Sequence, residues 1–240
     1  MTIEPDPVAR KPLAIITGVG PGTGAAMARR FSAGGYQVAM IARNVERIDA
    51  IARDLPDSFA VACDVSDTAG FLAALDGIAA RAGTPRVVMH NAVGGAFGNF
   101  LDISPDILQR NFQVNVMALL HLARWAAPKM AGEGGALICT GNTSALRGKA
   151  NFAGFAPTKA AQRILAESIA RELGPKGIHV AYLMIDAVID VPWTRERYKD
   201  RPDDFFIQPA AIADEAWHLA HQPRSAWSFL TELRPFGESW

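Results

Sequence analysis

The sequence is short of cysteine, tyrosine, charge excess and long apolar runs, and each shortage excludes something. Cysteine occurs only at Cys63 and Cys139. Both lie inside apolar runs, so they read as buried thiols of a reducing compartment, and two thiolates alone cannot complete a metal site. Lys and Arg number 24 against 24 Asp and Glu, a formal net charge of zero. That balance argues against a nucleic-acid surface and against a polybasic membrane anchor. No apolar run approaches the ~20 residues of a membrane span. Residues 1–12 hold three prolines and mixed charges but no hydrophobic segment, so a short leader rather than a signal peptide is expected. A soluble cytoplasmic protein with no membrane and no nucleic-acid partner is the expectation.

What is present is an ordinary globular composition: 240 residues, 50% hydrophobic and 20% charged, enough for a sizeable core. Strand-like apolar runs at 13–17, 37–42, 59–62, 86–91, 135–140 and 178–185 alternate with helix-period segments at 22–33, 45–54, 68–81, 105–130 and 152–173. A further helix is expected at 210–221 and a last strand at 226–230. Strands separated by helices of this length mean βαβ crossovers, and near-continuous apolar strands mean helices on both faces. The fold class is α/β, a doubly wound Rossmann-type parallel sheet, as one domain over residues 1–240. Pro157 is tolerated only in a first helical turn, so its helix should begin near 152–155. Residues 190–209 are rich in charge yet include Phe205 and Phe206. They read as a substrate lid or as a solvated surface helix whose aromatics pack down.

Thr17-Gly18-Val19-Gly20-Pro21-Gly22-Thr23-Gly24 joins the first strand to the first helix. Glycines allow a tight turn and close approach of a pyrophosphate, and the helix N-terminus offers N–H groups and a positive dipole. No Lys-Ser/Thr follows, which argues against an NTPase phosphate loop. The second strand ends Ile41-Ala42-Arg43-Asn44. An NAD-binding fold puts a carboxylate there; an arginine instead can grip a 2′-phosphate, pointing to NADP(H). The plainer reading of Arg43 is a surface residue at a helix start. Asp64, after the third strand, suits an adenine amino group or a helix N-terminus. The five histidines show no metal-ligand spacing with Cys or carboxylate, so no metal is expected. Asp186 and Asp190, after the sixth strand, read as helix caps or substrate contacts.

From Leu13 to the C-terminus these residues resemble the short-chain dehydrogenase/reductase family. The resemblance rests on Thr17-Gly-x3-Gly22-x-Gly24, Asp64-Val65, Asn91-Ala92-Val93-Gly94, Asn115, and Lys159 followed by Ala160-Ala161. It implies cofactor contacts from Gly18, Gly20, Gly22, Gly24, Arg43, Asp64, Asn91 and Lys159, and from the backbone of Val188. It implies a homodimer or homotetramer, the long helices pairing with a second subunit. The chain departs from the family at the catalytic positions. Where the family has its tyrosine, four residues before the lysine, stands Phe155; the longer spacing of the related enoyl reductases meets Phe152. Thirteen residues before Phe155, at the serine position, stands Asn142, followed by Thr143 and Ser144. The usual Pro-Gly after the sixth strand is Ile185-Asp186. The three tyrosines are Tyr36, Tyr182 and Tyr198; the last lies in the lid and is the one placed to swing toward substrate.

The resemblance thus identifies an atypical member without the catalytic tyrosine. Its candidate catalytic residues are Lys159, Asn115, Asn142 and Thr143. Lys159, beside Phe155, would donate a proton directly or through water, or simply bridge the cofactor ribose as in the family. Asn115 is either a buried, hydrogen-bonded core residue or the anchor of a water chain. Three functions stay open: a carbonyl reductase with a rebuilt proton relay, a catalytically silent NADP-binding protein, and a reductase of imines or activated alkenes.

Overall fold

A computed structural model describes residues 10–238. Residues 1–9 of the expected leader and the last two residues of the chain lie outside the described residues.

Strands β1 (Leu13–Thr17), β2 (Gln37–Ala42), β3 (Phe59–Ala62), β4 (Pro85–His90), β5 (Gly135–Gly141) and β6 (Ile178–Ile185) carry most of the sheet. Between them run helices α1 (Thr23–Ala33), α2 (Val45–Arg53), α3 (Thr68–Ala82), α4 (Pro105–Phe112), α5 (Ala118–Met130) and α6 (Ala156–Leu173). After β6 come a short strand β7 (Val188–Ile189), α7 (Pro192–Arg197), β8 (Phe206–Ile207), α8 (Pro209–Ala220) and β9 (Leu230–Leu233). The seven-stranded sheet has the order β3-β2-β1-β4-β5-β6-β9, and its neighbouring pairs are parallel.

Alternate strand residues feed two separate cores. Leu13, Ile15, Val88 and Leu137 pack under α3, α5 and α6, while Ala14, Ile16, Val87 and Ile138 pack under α1 and α8. That period of two, apolar on both faces, is what a sheet covered on both sides requires. The strand order reverses between β1 and β4, which opens a crevice at the carboxyl ends of those strands.

Three expectations need correction. The helix expected at 105–130 is interrupted by a π-helical turn, Gln113–Met117, with Asn115 at its middle. Such turns widen the helix by one residue and leave no mark in a 3.6-residue periodicity. The last strand is not 226–230 but Leu230–Leu233, because Trp227 instead stacks on His179 at 5.0 Å and 7° between planes. The helix bearing Pro157 starts at Ala156, with Phe155 at its N-cap, one residue beyond the expected window.

Residues 190–209 form an excursion outside the seven-stranded sheet, which β7 and β8 bracket as a separate two-stranded pair. Asp190 takes a two-pronged bond from Arg195 at 2.6 and 2.7 Å, and Arg195 also reaches Asp203 at 2.5 Å. Val188 and Ile189 pair with Phe206 and Ile207, so the excursion is closed at its base. Tyr198 packs on Phe205 within the excursion, ring centroids 5.6 Å apart.

Candidate active site

The Gly-rich turn is shaped by what its glycines cannot carry. Gly18 sits at φ +70°, and a Cβ there would lie 2.4 Å from the Ala92 Cα. A Cβ on Gly24 would lie 2.7 Å from the Val19 Cα. Around Gly20, by contrast, nothing stands within 4 Å of that position. Gly22 caps α1 and lies under Val191, whose Cγ1 is 2.8 Å from where a Cβ would be. No side chain caps α1, whereas Asn44, Asp67 and Ser104 cap α2, α3 and α4. The Ala25 N–H donates to the Gly20 carbonyl at 3.0 Å, which leaves the Thr23 and Gly24 N–H groups at the α1 start without a side-chain cap, and the helix dipole there favours an anion.

From this turn a groove of about 600 Å3 runs along the crest of the sheet, lined by Gly18, Gly20, Arg43, Asp64 and Asn91 among others. Asn91 holds three strand ends together. Its Nδ2 donates to the Gly18 carbonyl at 2.9 Å, and its Oδ1 accepts from the Thr140 hydroxyl at 3.0 Å. At the far end Arg43 is exposed and Arg47 stands one turn on. Asp64 accepts from the Ser66 backbone at 3.0 Å and its hydroxyl at 2.7 Å, and faces Arg110 at 3.5 Å. Burial pushes the Asp64 carboxyl up, but Ser66, Arg43 and Arg110 outweigh it and hold it below the ordinary carboxylate range. Capping of α3 falls to Asp67, so Asp64 is free of that duty. Of the proposed cofactor residues, Gly18, Gly20, Arg43, Asp64 and Asn91 share this groove. Gly22 and Gly24 shape the turn behind it, and Val188 lies in the β7–β8 pair.

The candidate catalytic residues face inward. Phe155 is buried at 5% exposure. Its ring lies 5.4 Å from Phe97 and 6.5 Å from Phe152, with Gly95 against its edge. Lys159 is 3% exposed, and its ammonium donates to the Thr140 carbonyl at 3.2 Å and to Gln162 Oε1 at 2.5 Å. Burial pushes its pKa down to about 8. Asn115 spends its side chain on the fold: Oδ1 accepts from the Gly94 N–H at 2.9 Å, and Nδ2 donates to the Gly94 carbonyl and the Thr158 hydroxyl, each at 2.8 Å. Asn142 Oδ1 accepts from the Ser144 N–H at 3.1 Å, capping a short 3-10 turn. Thr143 donates to Asp186 Oδ1 at 2.9 Å. Helix capping by the two aspartates does not occur: Asp186 is engaged by Thr143, Asp190 by Arg195 and Gln208.

Tyr182 lies wholly buried in β6, with its hydroxyl 3.4 Å from Gln162 Oε1 on α6, the helix that Phe155 caps. Its ring occupies the space a Cβ on Gly141 would need, 2.1 Å away. Gln162 and Gly141 were not among the sequence candidates; a glutamine three residues after Lys159 on the same helix face was the available signal. Among the described residues no group of three or more His, Cys, Asp or Glu is gathered for a metal ion, and no helix is long and apolar enough to cross a membrane.

Known proteins are similar to this chain in sequence and fold. A family model for short chain dehydrogenase matches residues 12–201. The chain is 30% identical to 4-formylbenzenesulfonate dehydrogenase of Comamonas testosteroni, covering 92% of this chain and 94% of that one. It is 29% identical to 7alpha-hydroxysteroid dehydrogenase of Escherichia coli, over 89% of this chain and 88% of the relative. A metagenomic short-chain oxidoreductase solved in complex with NADP superposes with a TM-score of 0.82 at 27% identity, covering 94% of this chain and 98% of that one. The chain belongs to the short-chain dehydrogenase/reductase family, a family of oxidoreductases on a Rossmann-type sheet.

Proposed function

We propose that this chain is an NADPH-dependent oxidoreductase that reduces a small carbonyl-type substrate through an atypical proton relay. The observation that carries the proposal is the groove itself. It joins an uncapped, glycine-lined helix start to an exposed guanidinium at the position where an NAD-binding fold has a carboxylate. Gly18 and Gly20 would admit the pyrophosphate to bare backbone, Asp64 would accept from the adenine, and Arg43 would grip the 2′-phosphate. The NADP complex of the metagenomic relative supports the choice of cofactor. Relatives named for an aldehyde and a hydroxysteroid support carbonyl–alcohol chemistry.

When bound, the dinucleotide supplies hydride; the chain must supply position and a proton. Positioning alone contributes about 7–11 kcal/mol to such a reaction. A missing general acid costs ~10²–10⁴ in rate. The chain is thus an atypical member in which Phe155 stands at the tyrosine position. The remaining polar groups near it are Lys159, Asn142 and Thr143, with Asn115 beneath. Residues 190–209 serve as the lid, hinged at the β7–β8 pair. Exposed Ile107 on α4 and Ile164 on α6 suit pairing with a second copy, as a homodimer or homotetramer.

A second reading is favoured by two observations. Phe155 is sealed by Phe97 and Phe152, and Lys159 is turned into the core; both suit an NADP-binding protein without turnover, or a reductase of imines or activated alkenes. Purified protein with NADPH and a panel of ketones, diketones, imines and enones tests the set. Carbonyl turnover supports the first reading, imine or enone turnover alone supports the last, and NADPH binding without consumption supports the silent protein.

A further inference from the structure

Lys159 is an ammonium inside the core with no carboxylate beside it among the described residues. The ionisable groups packed around it are His90 of β4, Cys139 of β5 and Tyr182 of β6, with Arg163 of α6 acting on Tyr182. Burial, with the charge of Lys159, pushes His90 down to about 3, and burial pushes Cys139 up to about 12 and Tyr182 above its usual value. At neutral pH all three are uncharged. The lysine thus depends on dipoles: the Thr140 carbonyl and the amide oxygen of Gln162.

The orientation of that amide is forced. Its Nε2 donates to the Asn115 carbonyl at 2.8 Å, an atom that can only accept. Its Oε1 then faces two groups that donate, the Lys159 ammonium and, at 3.4 Å, the Tyr182 hydroxyl. A flipped amide would set N–H against ammonium and oxygen against carbonyl. Gln162 is itself fully buried, on the next turn of the same helix face as Lys159. The Asn115 carbonyl that anchors it belongs to the π turn, so the irregularity of that helix and the amide are one device. Tyr182 completes it, and fits only because β5 ends in Gly141.

We propose that Gln162 is a positioning residue that holds Lys159 in its charged form beneath the groove and sets the pH at which this lysine gives up its proton. A buried ammonium left with one acceptor is costly and discharges instead. With a phenylalanine at the tyrosine position, Lys159 is the ionisable group of this cluster that changes charge nearest neutrality, so Gln162 would tune the proton relay. This last step rests on the oxidoreductase reading; the effect on Lys159 does not.

The test uses the full chain without cofactor, labelled at lysine Cε, with the six lysine signals followed by NMR against pH and Lys159 assigned by Lys159→Met. In Gln162→Met the Lys159 midpoint is expected to fall by at least one pH unit, a tenfold loss in proton affinity. In Gln162→Glu it is expected to rise by a similar amount. A midpoint unmoved in both overturns the proposal and leaves Gln162 as filler. Should Gln162→Met fail to fold, Gln162→Glu decides alone: a rise supports, no change overturns. NADPH calorimetry on the same samples reports separately on the cofactor, so a shifted midpoint with no NADPH binding would leave this inference standing and sink the oxidoreductase reading. Where turnover is present, its pH profile should move with the lysine midpoint.

Discussion

The two ends of the sheet crest are furnished with similar polar residues and use them in opposite ways. At the β1–β3 end the polar atoms face outward: the α1 start has no side-chain cap, Arg43 is exposed, and Asp64 looks into the groove. At the β5–β6 end they face each other: Lys159, Gln162, Asn115 and Thr158 are buried and bound mutually or to backbone. Outward groups are available to a ligand and contribute little to stability. Inward groups specify the core, and each one removed strands its partners. On the proposed function, the outward end would hold the dinucleotide, while the residues assigned to chemistry are turned toward the interior.

The comparison breaks most sharply if the inward end can be turned out again. Phe155→Tyr with Asn142→Ser is expected to raise ketone reduction by ~10²–10⁴, the usual worth of a general acid. Steady-state rates check this, and an unchanged rate means that the true substrate needs no such acid. Next in size, Asn115→Ala removes the side-chain partner of both backbone groups of Gly94 and the N–H that the Thr158 hydroxyl accepts, leaving that hydroxyl only its bond to the Phe155 carbonyl. A cost of about 2–4 kcal/mol follows, which lowers the melting temperature by ~5–15 °C for a domain of this size. Arg43→Ala, the outward counterpart, should leave the melting temperature within about 1–2 °C; a larger fall would erase the distinction between the two ends.

The smallest effect concerns residues 190–209. The Arg195 guanidinium, with help from Gln208, holds Asp190 down to about 2. An unfolded aspartate titrates near ~3.9, so the pair contributes stability fully above that pH and loses it as pH falls toward 2. Arg195→Gln should lower stability only slightly near neutrality, because solvent and salt screen an ion pair this exposed. Urea unfolding at a series of pH values should show the gap between wild type and variant closing below pH ~4.

The fold was legible where burial dictates pattern. Strands β1, β2 and β6 fall where apolar runs place them, because a strand covered on both faces has no choice of residue. The Gly18–Gly24 turn was legible because backbone strain and close approach select glycine. Long-range choices were not legible. The displacement of β9 depends on Trp227 finding His179, and the π turn at Asn115 depends on an amide finding Gly94 across the loop after β4. Gln162 reads in the sequence as one polar residue among several on α6. Its burial follows from Tyr182 and Gly141, which lie on two other elements. Asp64 was legible as a carboxylate near a helix start, yet only the structure hands that cap to Asp67.

The central claim is that the outward end binds a phosphorylated dinucleotide through Arg43. Isothermal titration calorimetry of wild type and Arg43→Ala with NADPH and NADH tests it most directly. A charge-assisted phosphate contact is worth about 1.5–3 kcal/mol, so wild type should bind NADPH at least ~10-fold tighter than NADH. That preference should vanish in the variant. Absence of binding by either cofactor, or a preference for NADPH that survives the loss of Arg43, would contradict the account.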